Sequence, residues 1–462
     1  MMGKVSGSKR GATRQNSLAV VRRKITRRSF LKLSGAGLAG AALLGVPGCG
    51  GGGGGSGNGE FTFAMGQDTT GALPGLVERF NQQYEGQYVC NYREMPTDTG
   101  QYFDQLRTEF QAGGGDIDVI GGDVIWPAQF AAFGFLVDLS DRFPESERGA
   151  FLPGPVESNL YEGAIYGVPW YTDAGLLYYR QDLLEQSGFS EPPQTWEELK
   201  EQAQKVVQDS GTENGFVFQG ADYEGGVVNA LEYVYSHGGR VLDENDPNAV
   251  VVDSPEAAAG LQTERSMIED GVSPQSVATY TETECEPIFL RGESVFLRAW
   301  PQTYSIAGNP QDSVIEQAQV GVAPLPAGPG GRSVSGLGGW NLFINAASDP
   351  EAQEAGYEFI RFLTSSEQQR TYADEGSRLP TLQELYEEQQ VLDAVPVIEL
   401  AGEQTLQNAE PRPVSPFYSD MSLRMGEQFN ASLNGELSPE EALETLQEEL
   451  EQIIEQGQNT VA

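Results

Sequence analysis

From residue 60 onward the chain alternates between strand-like and helix-like patterns of apolar residues. Apolar runs at residues 61–65, 87–92 and 116–120 predict three strands. Apolar residues at helical spacing predict a helix after each of the first two strands: Leu76, Val77, Phe80 and Tyr84, then Tyr102, Leu106 and Phe110. This βαβαβ order predicts a parallel sheet with right-handed crossovers.

Capping residues mark the starts of three later helices. Thr195 with Glu198 has the spacing of a capping box, and so does Ser438 with Glu441. Asp349 before Pro350 predicts a helix with proline in its first turn. The last of these helices carries an apolar stripe that predicts packing onto the body of the protein: Leu443, Leu446, Leu450 and Ile453.

The chain is expected to pass several times between two α/β lobes. Glycine and proline at residues 324–332 predict a loop. The crossings are placed near residues 167–171, 296–300 and 338–343. The predicted fold is α/β with two discontinuous lobes, mostly parallel sheets and a hinge. The first lobe is predicted to comprise residues 60–168 and 299–338, and the second residues 169–298 and 339–462. The carboxyl ends of the strands would face a cleft between the two sheets.

The net charge of −39 combines a basic N-terminus with a strongly acidic remainder. Residues 1–48 hold ten Lys or Arg and no Asp or Glu, which leaves 18 basic and 67 acidic residues in the rest of the chain. Because such a surface repels phosphate backbones, no nucleic-acid partner is expected. Apolar residues make up 39% of the chain, which is enough to fill the cores of a globular protein.

Residues 1–48 have the features of an export leader. T-R-R-S-F-L-K (Thr26 to Lys32) resembles a twin-arginine signal, and the apolar run at residues 33–46 is short and rich in Gly and Ala. It ends in V-P-G-C, which resembles a lipobox and implies a lipid anchor on Cys49. A glycine-rich tether at residues 49–59 follows. We therefore expect an exported lipoprotein at the outer face of the cell membrane or in the periplasm.

The motifs of common catalytic and metal sites are absent from the sequence. His237 is the only histidine, and its position before two glycines predicts a helix end. G-x-S-x-G, H-E-x-x-H, C-x-x-C and G-x-x-x-x-G-K-[ST] do not occur. No catalytic residue, metal site or cofactor is expected, and the protein is predicted not to be an enzyme. Paired carboxylates could still hydrolyse a glycosidic bond, so a secreted glycosidase stays open. Export permits a disulfide between Cys90 and Cys285, and two buried thiols fit the sequence at least as well.

Aromatic, acidic and arginine side chains lie at the predicted strand ends and crossings. The candidate ligand-binding residues from this placement are Asp123, Tyr171, Asp173, Trp300, Tyr304, Trp340 and Arg412. Sugars need this combination, because their C–H faces lie against aromatic rings and their vicinal hydroxyls pair with carboxylate and guanidinium groups. Asp123 and Tyr304 are assigned mainly to the first lobe, and Tyr171, Asp173, Trp340 and Arg412 to the hinge and the second lobe.

Taken in order, the segments from Phe61 onward resemble the trehalose/maltose-binding proteins of ABC importers, a branch of the maltose-binding-protein-like solute receptors. The matching motifs include D-V-I-W-P-A-Q-F, P-W-Y-T-D-A-G-L-L-Y-Y-R, Y-E-G-G-V-V-N-A-L, R-A-W-P, L-G-G-W and P-R-P-V-S-P-F-Y. The resemblance implies a type II periplasmic-binding-protein fold whose lobes close on a disaccharide and then dock on permease subunits. It implies ligand contacts from the seven residues above, from Gly339 and from Arg93. The loop G-Q-D-T-T-G departs from the family, so Gln67 or Asp68 would replace its usual glutamate.

The predicted function is therefore that of a monomeric extracytoplasmic receptor of an ABC importer, with a disaccharide of the trehalose or maltose class as its ligand. Two alternatives stay open. One is a secreted glycosidase that uses paired carboxylates. The other is a receptor of the same fold for a non-sugar solute such as a polyamine, which an acidic cleft would suit.

Overall fold

The computed structural model describes residues 59–461 except residues 69, 97, 244–245, 331, 403–404 and 406–408. The predicted leader, Cys49 and residues 49–58 of the predicted tether lie outside the described residues. No helix in the described part of the chain is long and apolar enough to cross a membrane.

The described residues form strands and helices in a mixed order along the chain. The strands are β1 (Gly59–Gly66), β2 (Tyr88–Met95), β3 (Val119–Asp123), β4 (Leu160–Tyr161), β5 (Ala164–Ile165), β6 (Gly167–Ala174), β7 (Leu176–Arg180), β8 (Asn214–Val217), β9 (Leu242–Asp243), β10 (Asp246–Val250), β11 (Ser294–Ala299), β12 (Val320–Ala323), β13 (Leu337–Ile344) and β14 (Leu379–Pro380). The α-helices are α1 (Ala72–Gln83), α2 (Thr99–Gln111), α3 (Pro127–Ala132), α4 (Glu145–Arg148), α5 (Pro153–Glu157), α6 (Gln181–Gln186), α7 (Trp196–Ser210), α8 (Glu224–Ser236), α9 (Pro255–Glu269), α10 (Glu282–Leu290), α11 (Thr303–Ala307), α12 (Pro350–Leu363), α13 (Ser366–Gly376), α14 (Gln389–Ala394), α15 (Val397–Leu400), α16 (Tyr418–Asn434) and α17 (Pro439–Val461).

The larger sheet has the strand order β14-β6-β13-β3-β1-β2 and forms the centre of the first lobe. Its β1, β2 and β3 run parallel, which confirms the predicted βαβαβ unit. Alternate residues of β1 pack on opposite faces: Phe61 and Phe63 join the core that contains α1 and α12, and Ala64 joins the core that contains α2. The sheet is therefore covered on both sides, as parallel strands require.

The smaller sheet has the order β12-β7-β11-β8 and forms the centre of the second lobe. Helix α7 packs against it through Trp196, Leu199 and Val206, all of which are buried. The side chain of Thr195 accepts from the Glu198 backbone N–H as predicted, whereas the Glu198 carboxylate accepts from the backbone of Gln194.

Helices α8, α9, α16 and α17 pack together beside the smaller sheet. Ser438 and Glu441 exchange the two hydrogen bonds of a capping box, and Leu443, Leu446 and Leu450 are buried in this cluster. Both helix predictions at this end are confirmed. His237 ends α8 as its C-cap, which confirms that prediction as well.

Both sheets are mixed and not mostly parallel, which corrects that part of the fold prediction. β13 runs antiparallel to β3 and to β6, and β7 runs antiparallel to β11 and to β12. The physical reason is that β7 and β13 enter their sheets from the other lobe, whereas a parallel neighbour needs a helical crossover within one lobe.

The sheet memberships also differ from the predicted lobe boundaries. β12, expected in the first lobe, pairs with β7 in the smaller sheet, and β13 and β14, expected in the second lobe, pair in the larger sheet. The chain does not cross near residues 296–300, because β11 and β12 belong to the same sheet. It crosses instead at Gly175, which separates β6 from β7, and in the segment between β12 and β13, which contains the predicted loop at residues 324–332.

A buried ion pair occupies the point where these crossings meet. Arg298 in β11 donates to both carboxylate oxygens of Glu232 in α8, at 2.9 and 2.6 Å, and both side chains are almost completely buried. Glu232 also accepts from the backbone N–H of Gly336, at 2.9 Å. A Cβ at Gly175 would lie 2.0 Å from the Glu232 carboxylate, so the first crossing has room only for glycine. Two crossing segments are therefore packed around one charge pair.

Cys90 and Cys285 are both buried free thiols. They lie in different lobes, in β2 and in α10. Of the two possibilities that the sequence left open, the structure shows two thiols.

Candidate ligand-binding site

Three predicted site residues lie side by side where β3 and β6 end. Trp340 in β13 pairs with Asp123 in β3 on one side and with Tyr171 in β6 on the other. Asp173 lies two residues further along β6 and pairs with Gly338. The strand register thus gathers these groups into one row at the edge of the larger sheet that faces the smaller one.

Gly339 sets the orientation of Trp340 within this row. Its φ is 119°, and a Cβ there would lie 2.6 Å from the Tyr171 carbonyl oxygen. The pairing with β6 shifts register directly after Trp340. The indole then stacks on Tyr102, with ring centroids 6.2 Å apart, and meets the edge of Trp126 at 5.7 Å. Trp340 is only partly buried, so this supported ring keeps an open side.

Arg412 connects the row to the second lobe. It donates to Asp123 at 2.9 Å and to Glu224, the first residue of α8, at 2.6 Å. Glu224 also accepts from the hydroxyls of Tyr418 and Ser422. Burial raises the pKa of Asp123, the Arg412 guanidinium opposes that rise, and the Glu224 carboxylate adds to it. One guanidinium thus joins two carboxylates from different lobes and compensates one of their two negative charges.

Tyr171 is almost fully covered, with 3% of its surface exposed. The edges of its ring meet Trp170 and Tyr372, which stack on each other at 5.0 Å. The guanidinium of Arg378 lies over the ring face, 5.0 Å from its centroid. The predicted contact of Tyr171 with ligand is therefore limited by a residue that covers it.

Asp173 has a different environment from Asp123. Burial raises the pKa of Asp173 to about 7, Arg378 opposes the rise, and Asp123 adds to it. No hydrogen-bond partner holds its carboxylate within the described part of the chain. This carboxylate can therefore accept hydrogen bonds from a ligand.

Trp300 is held on two sides by groups of the second lobe. Its indole N–H donates to Glu282 at 3.0 Å, and the other carboxylate oxygen of Glu282 accepts from the Tyr223 hydroxyl at 2.7 Å. The Arg298 guanidinium of the hinge ion pair lies 4.1 Å from the centre of the indole. A Cβ at Gly338 would lie 3.0 Å from the ring, so Trp300 reaches the row on the larger sheet.

The two remaining predicted residues lie at the margins of the row. Tyr304 is half-buried in α11, and its neighbour Ser305 donates a hydrogen bond across to Ser377 of the first lobe at 2.7 Å. Arg93 lies in β2, separated from β13 by β3 and β1, and donates to both carboxylate oxygens of Glu109. The structure brings Tyr304 to the cleft and engages Arg93 in an ion pair.

The assignment of site residues to lobes needs correction. Asp123, Tyr171, Asp173 and Trp340 all lie on strands of the larger sheet, in the first lobe. Tyr304 follows β11 and belongs to the second lobe. The error has the same causes as the wrong boundaries: the first boundary was placed after residue 168 and not at Gly175, and β12 and β13 were assigned to the opposite sheets.

Three cleft residues escaped prediction from the sequence. They are Glu224, Glu282 and Arg378. The two glutamates are members of a set of 67 acidic residues, and no spacing distinguishes them. Arg378 could have been noticed only by its rarity, since only 18 basic residues follow residue 48. In the loop that departs from the family, Gln67 is exposed and Asp68 accepts from the Leu73 backbone N–H at 2.7 Å, as a helix cap does.

In the described part of the chain, no group of three or more His, Cys, Asp or Glu side chains has the arrangement of a metal site. The cleft instead combines two supported indoles with hydrogen-bonded carboxylates from both lobes. This arrangement defines a two-lobed receptor for a solute.

The chain belongs to the family of bacterial extracellular solute-binding proteins, whose model matches residues 66–370. A probable ABC transporter-binding protein of Deinococcus radiodurans is 36% identical over 372 residues, which cover 79% of this chain and 86% of that protein. The mannitol-binding protein of Pseudomonas aeruginosa is 24% identical over 377 residues, which cover 74% and 82%. The chain is therefore a solute-binding component of the ABC-importer type.

Solved structures agree with this family. Maltose-bound T. maritima MalE3 is 42% identical, with a TM-score of 0.78 over 85% of this chain and 98% of that one. The GacH receptor of Streptomyces glaucescens, known unliganded and with acarbose, is 24% identical, with a TM-score of 0.76 over 86% and 99%. These similarities confirm the two-lobed, type II periplasmic-binding-protein fold.

Proposed function

We propose that the protein is the sugar receptor of an ABC importer, that it binds a disaccharide of the trehalose or maltose class between its lobes, and that it delivers this sugar to a permease. The observation that carries the proposal is the row Asp123, Trp340 and Asp173 on the larger sheet, opposite Trp300 of the second lobe. Two indoles that face one cleft suit the C–H faces of two sugar rings, and the adjacent carboxylates suit their hydroxyls. The similarity to a maltose-bound structure supports the same ligand class.

The proposed mechanism is closure of the two lobes about the hinge. The larger and the smaller sheet mark the two lobes, and the segments at Gly175 and between β12 and β13 join them. A sugar that touches Trp340 on one lobe and Trp300 on the other binds the closed state more tightly than the open one. Ligand would therefore shift the population toward closure, and the permease would recognise the closed form.

The arginines of the cleft argue against a polyamine ligand. Asp123 and Glu224 both bind Arg412, and the positive charge of Arg378 acts on Asp173 without an ion pair. A polyamine would bring further cations next to these two guanidinium groups, and a buried cation without its own counter-charge is costly. A neutral polyhydroxylated ligand does not disturb these pairs.

The hydrogen-bond partners of the cleft carboxylates also argue against hydrolysis of a glycosidic bond. A glycosidase needs one free carboxyl acid and one free carboxylate on opposite sides of the scissile bond. Asp123 is held by Arg412, and Glu282 is held by Tyr223 and Trp300. Asp173 is the one site acid described above as unpartnered, and it lacks a second free carboxylate beside it.

Calorimetric titration of the purified protein with trehalose, maltose and sucrose tests the proposal, with glucose release assayed in the same samples. We expect saturable binding of at least one disaccharide without release of glucose. Glucose release would identify a glycosidase, and the absence of heat with all three sugars would contradict the proposed ligand class.

The proposal includes export through the twin-arginine-type leader, a lipid anchor on Cys49 and a monomeric state. These rest on residues 1–58 and on the family resemblance. Mass spectrometry of protein extracted from membranes tests the anchor: we expect a mature chain that begins at an acylated Cys49. A mature chain that retains residues before Cys49, or that carries no lipid, would contradict it.

A further inference from the structure

We infer that Arg378 is a ligand-contacting residue of the first lobe and that it donates hydrogen bonds to vicinal hydroxyls of the bound sugar. The sequence prediction gave the role of guanidinium donor to Arg412. This inference rests on the proposed sugar-receptor function and extends it to a residue outside the predicted set.

Arg378 lies at the edge of the site. It follows α13 and directly precedes β14, whose Leu379 pairs with Thr172 of β6. Because the two strands are antiparallel, Arg378 is placed across from Asp173, the next residue of β6. Ser377, its neighbour in sequence, accepts from Ser305 of the second lobe. The residue thus lies where the two lobes approach each other.

In the described part of the chain, Arg378 has no carboxylate partner, whereas the two terminal nitrogens of Arg412 are bound to carboxylates; the Nε atoms of both arginines are buried without a hydrogen-bond partner. Arg412 is bound to two carboxylates and a carbonyl oxygen. Arg378 forms no ion pair within the described part of the chain, and its buried Nε has no hydrogen-bond partner. A guanidinium has five N–H donors, and burying them without acceptors costs free energy. A partly buried arginine without a carboxylate partner is therefore unusual, and a ligand that supplies acceptors would remove this cost.

The aromatic neighbours of Arg378 hold it in position, and only Tyr372 among them engages its guanidinium by a side-chain hydrogen bond. Its guanidinium lies over the Tyr171 ring, 5.0 Å from the centroid. Burial raises the pKa of Tyr372, and Arg378 opposes that rise, which places the Tyr372 ring beside the same guanidinium. Two aromatic side chains thus fix a planar donor next to Asp173, an acceptor. A donor and an acceptor side by side are what a pair of neighbouring sugar hydroxyls requires.

Arg378→Gln tests the inference, with Arg370→Gln as the matched control. Arg370 lies on α13, carries the same side chain and is paired with Glu388 outside the cleft. Maltose and trehalose are titrated into the wild type and both variants by calorimetry. We expect Arg378→Gln to weaken binding at least tenfold, about 1.4 kcal/mol. We expect Arg370→Gln to stay within about twofold of the wild type.

A second background separates direct contact from an effect through Asp173. Without Arg378 the Asp173 carboxyl would hold its proton to higher pH, because the guanidinium opposes the rise of that pKa and Asp123 promotes it. Arg378→Gln is therefore also introduced into an Asp173→Asn background, in which residue 173 cannot titrate, and compared with Asp173→Asn alone. A further loss of affinity in this background supports direct contact, and the absence of a further loss overturns it.

Each remaining outcome is also decisive. Binding by Arg378→Gln equal to that of the wild type overturns this inference and leaves the proposed function intact. Failure of the wild type to bind any sugar removes the proposed function and this inference with it. If Arg378→Gln does not fold, Arg378→Lys carries the same test, because it keeps the charge and loses the planar fork.

Discussion

At the scale of residues, the site is a set of side chains that stabilise one another before a ligand arrives. Arg412 balances Asp123 and Glu224, and Glu282 holds Trp300 by its indole N–H. Such contacts fix the side chains in advance, so ligand binding costs less conformational entropy. Asp173 stands apart, because its carboxylate has no comparable partner in the described part of the chain.

Trp340→Ala should weaken disaccharide binding at least tenfold, about 1.4 kcal/mol, because it removes the ring supported by Tyr102 and Trp126. Trp340→Phe keeps a smaller ring and should fall between this variant and the wild type. Calorimetric titration measures both. Equal affinity of the alanine variant and the wild type would show that the Trp340 ring packs in the protein core and does not contact the sugar.

Asp173 should make the free energy of unfolding depend on pH. Its pKa in the folded protein is about 7, against about 3.9 for an unperturbed Asp. Between about pH 4 and pH 7 the unfolded chain has released this proton while the folded protein retains it, so stability falls as the pH rises. Asp173→Asn cannot titrate and should lose less stability across this window. Urea unfolding at several pH values measures the difference, and identical slopes would contradict it.

The sequence was informative about residues at strand ends and uninformative about their partners. Asp123 could be placed because it lies at the end of an apolar strand, and Trp340 because it follows two glycines at a predicted crossing. Glu224, Glu282 and Arg378 could not, because their roles depend on which strands and helices meet in space. Arg378, for example, reaches the site only through the two-residue pairing of β14 with β6.

At the scale of elements, the hinge is the feature that holds the site together. The Arg298–Glu232 pair joins β11 to α8, contacts the backbone of a crossing segment through Gly336, and supports the indole of Trp300. The same ion pair thus contributes to the hinge and to the ligand platform.

Glu232→Ala should therefore lower the free energy of unfolding by about 3–5 kcal/mol, because it leaves Arg298 charged, buried and unpaired. Glu388→Ala is the control: it breaks the more exposed pair with Arg370 and should cost about 1 kcal/mol or less. Urea unfolding gives both values. A similar, small loss of unfolding free energy in the two variants would show that the Arg298–Glu232 pair contributes no more to stability than the exposed pair.

The sequence placed elements well where consecutive segments pack together, as in β1, β2 and β3. It failed for β12 and β13, because an apolar strand carries no signal for the sheet that it joins. Both are almost entirely buried, and either sheet would satisfy their patterns.

At the scale of the whole molecule, the two sheets and their hinge define a receptor whose lobes can move relative to each other. The family assignment and the similarity to MalE3 support this architecture over most of the chain. The row on the larger sheet and Trp300 of the smaller one then act together only when the lobes approach.

Binding should therefore make the protein more compact. Small-angle X-ray scattering should show a smaller radius of gyration after addition of a saturating disaccharide, because ligand favours the closed state. A sugar with no calorimetric signal serves as the control and should cause no change. An unchanged radius of gyration with a sugar that does bind would contradict closure.

The most direct test is a crystal structure of the protein grown with maltose or trehalose. We predict a sugar between Trp340 of the first lobe and Trp300 of the second, with hydroxyls within hydrogen-bond distance of Asp173 and Arg378. A sugar bound outside this cleft, or Trp340 turned away from it, would contradict the proposed binding site.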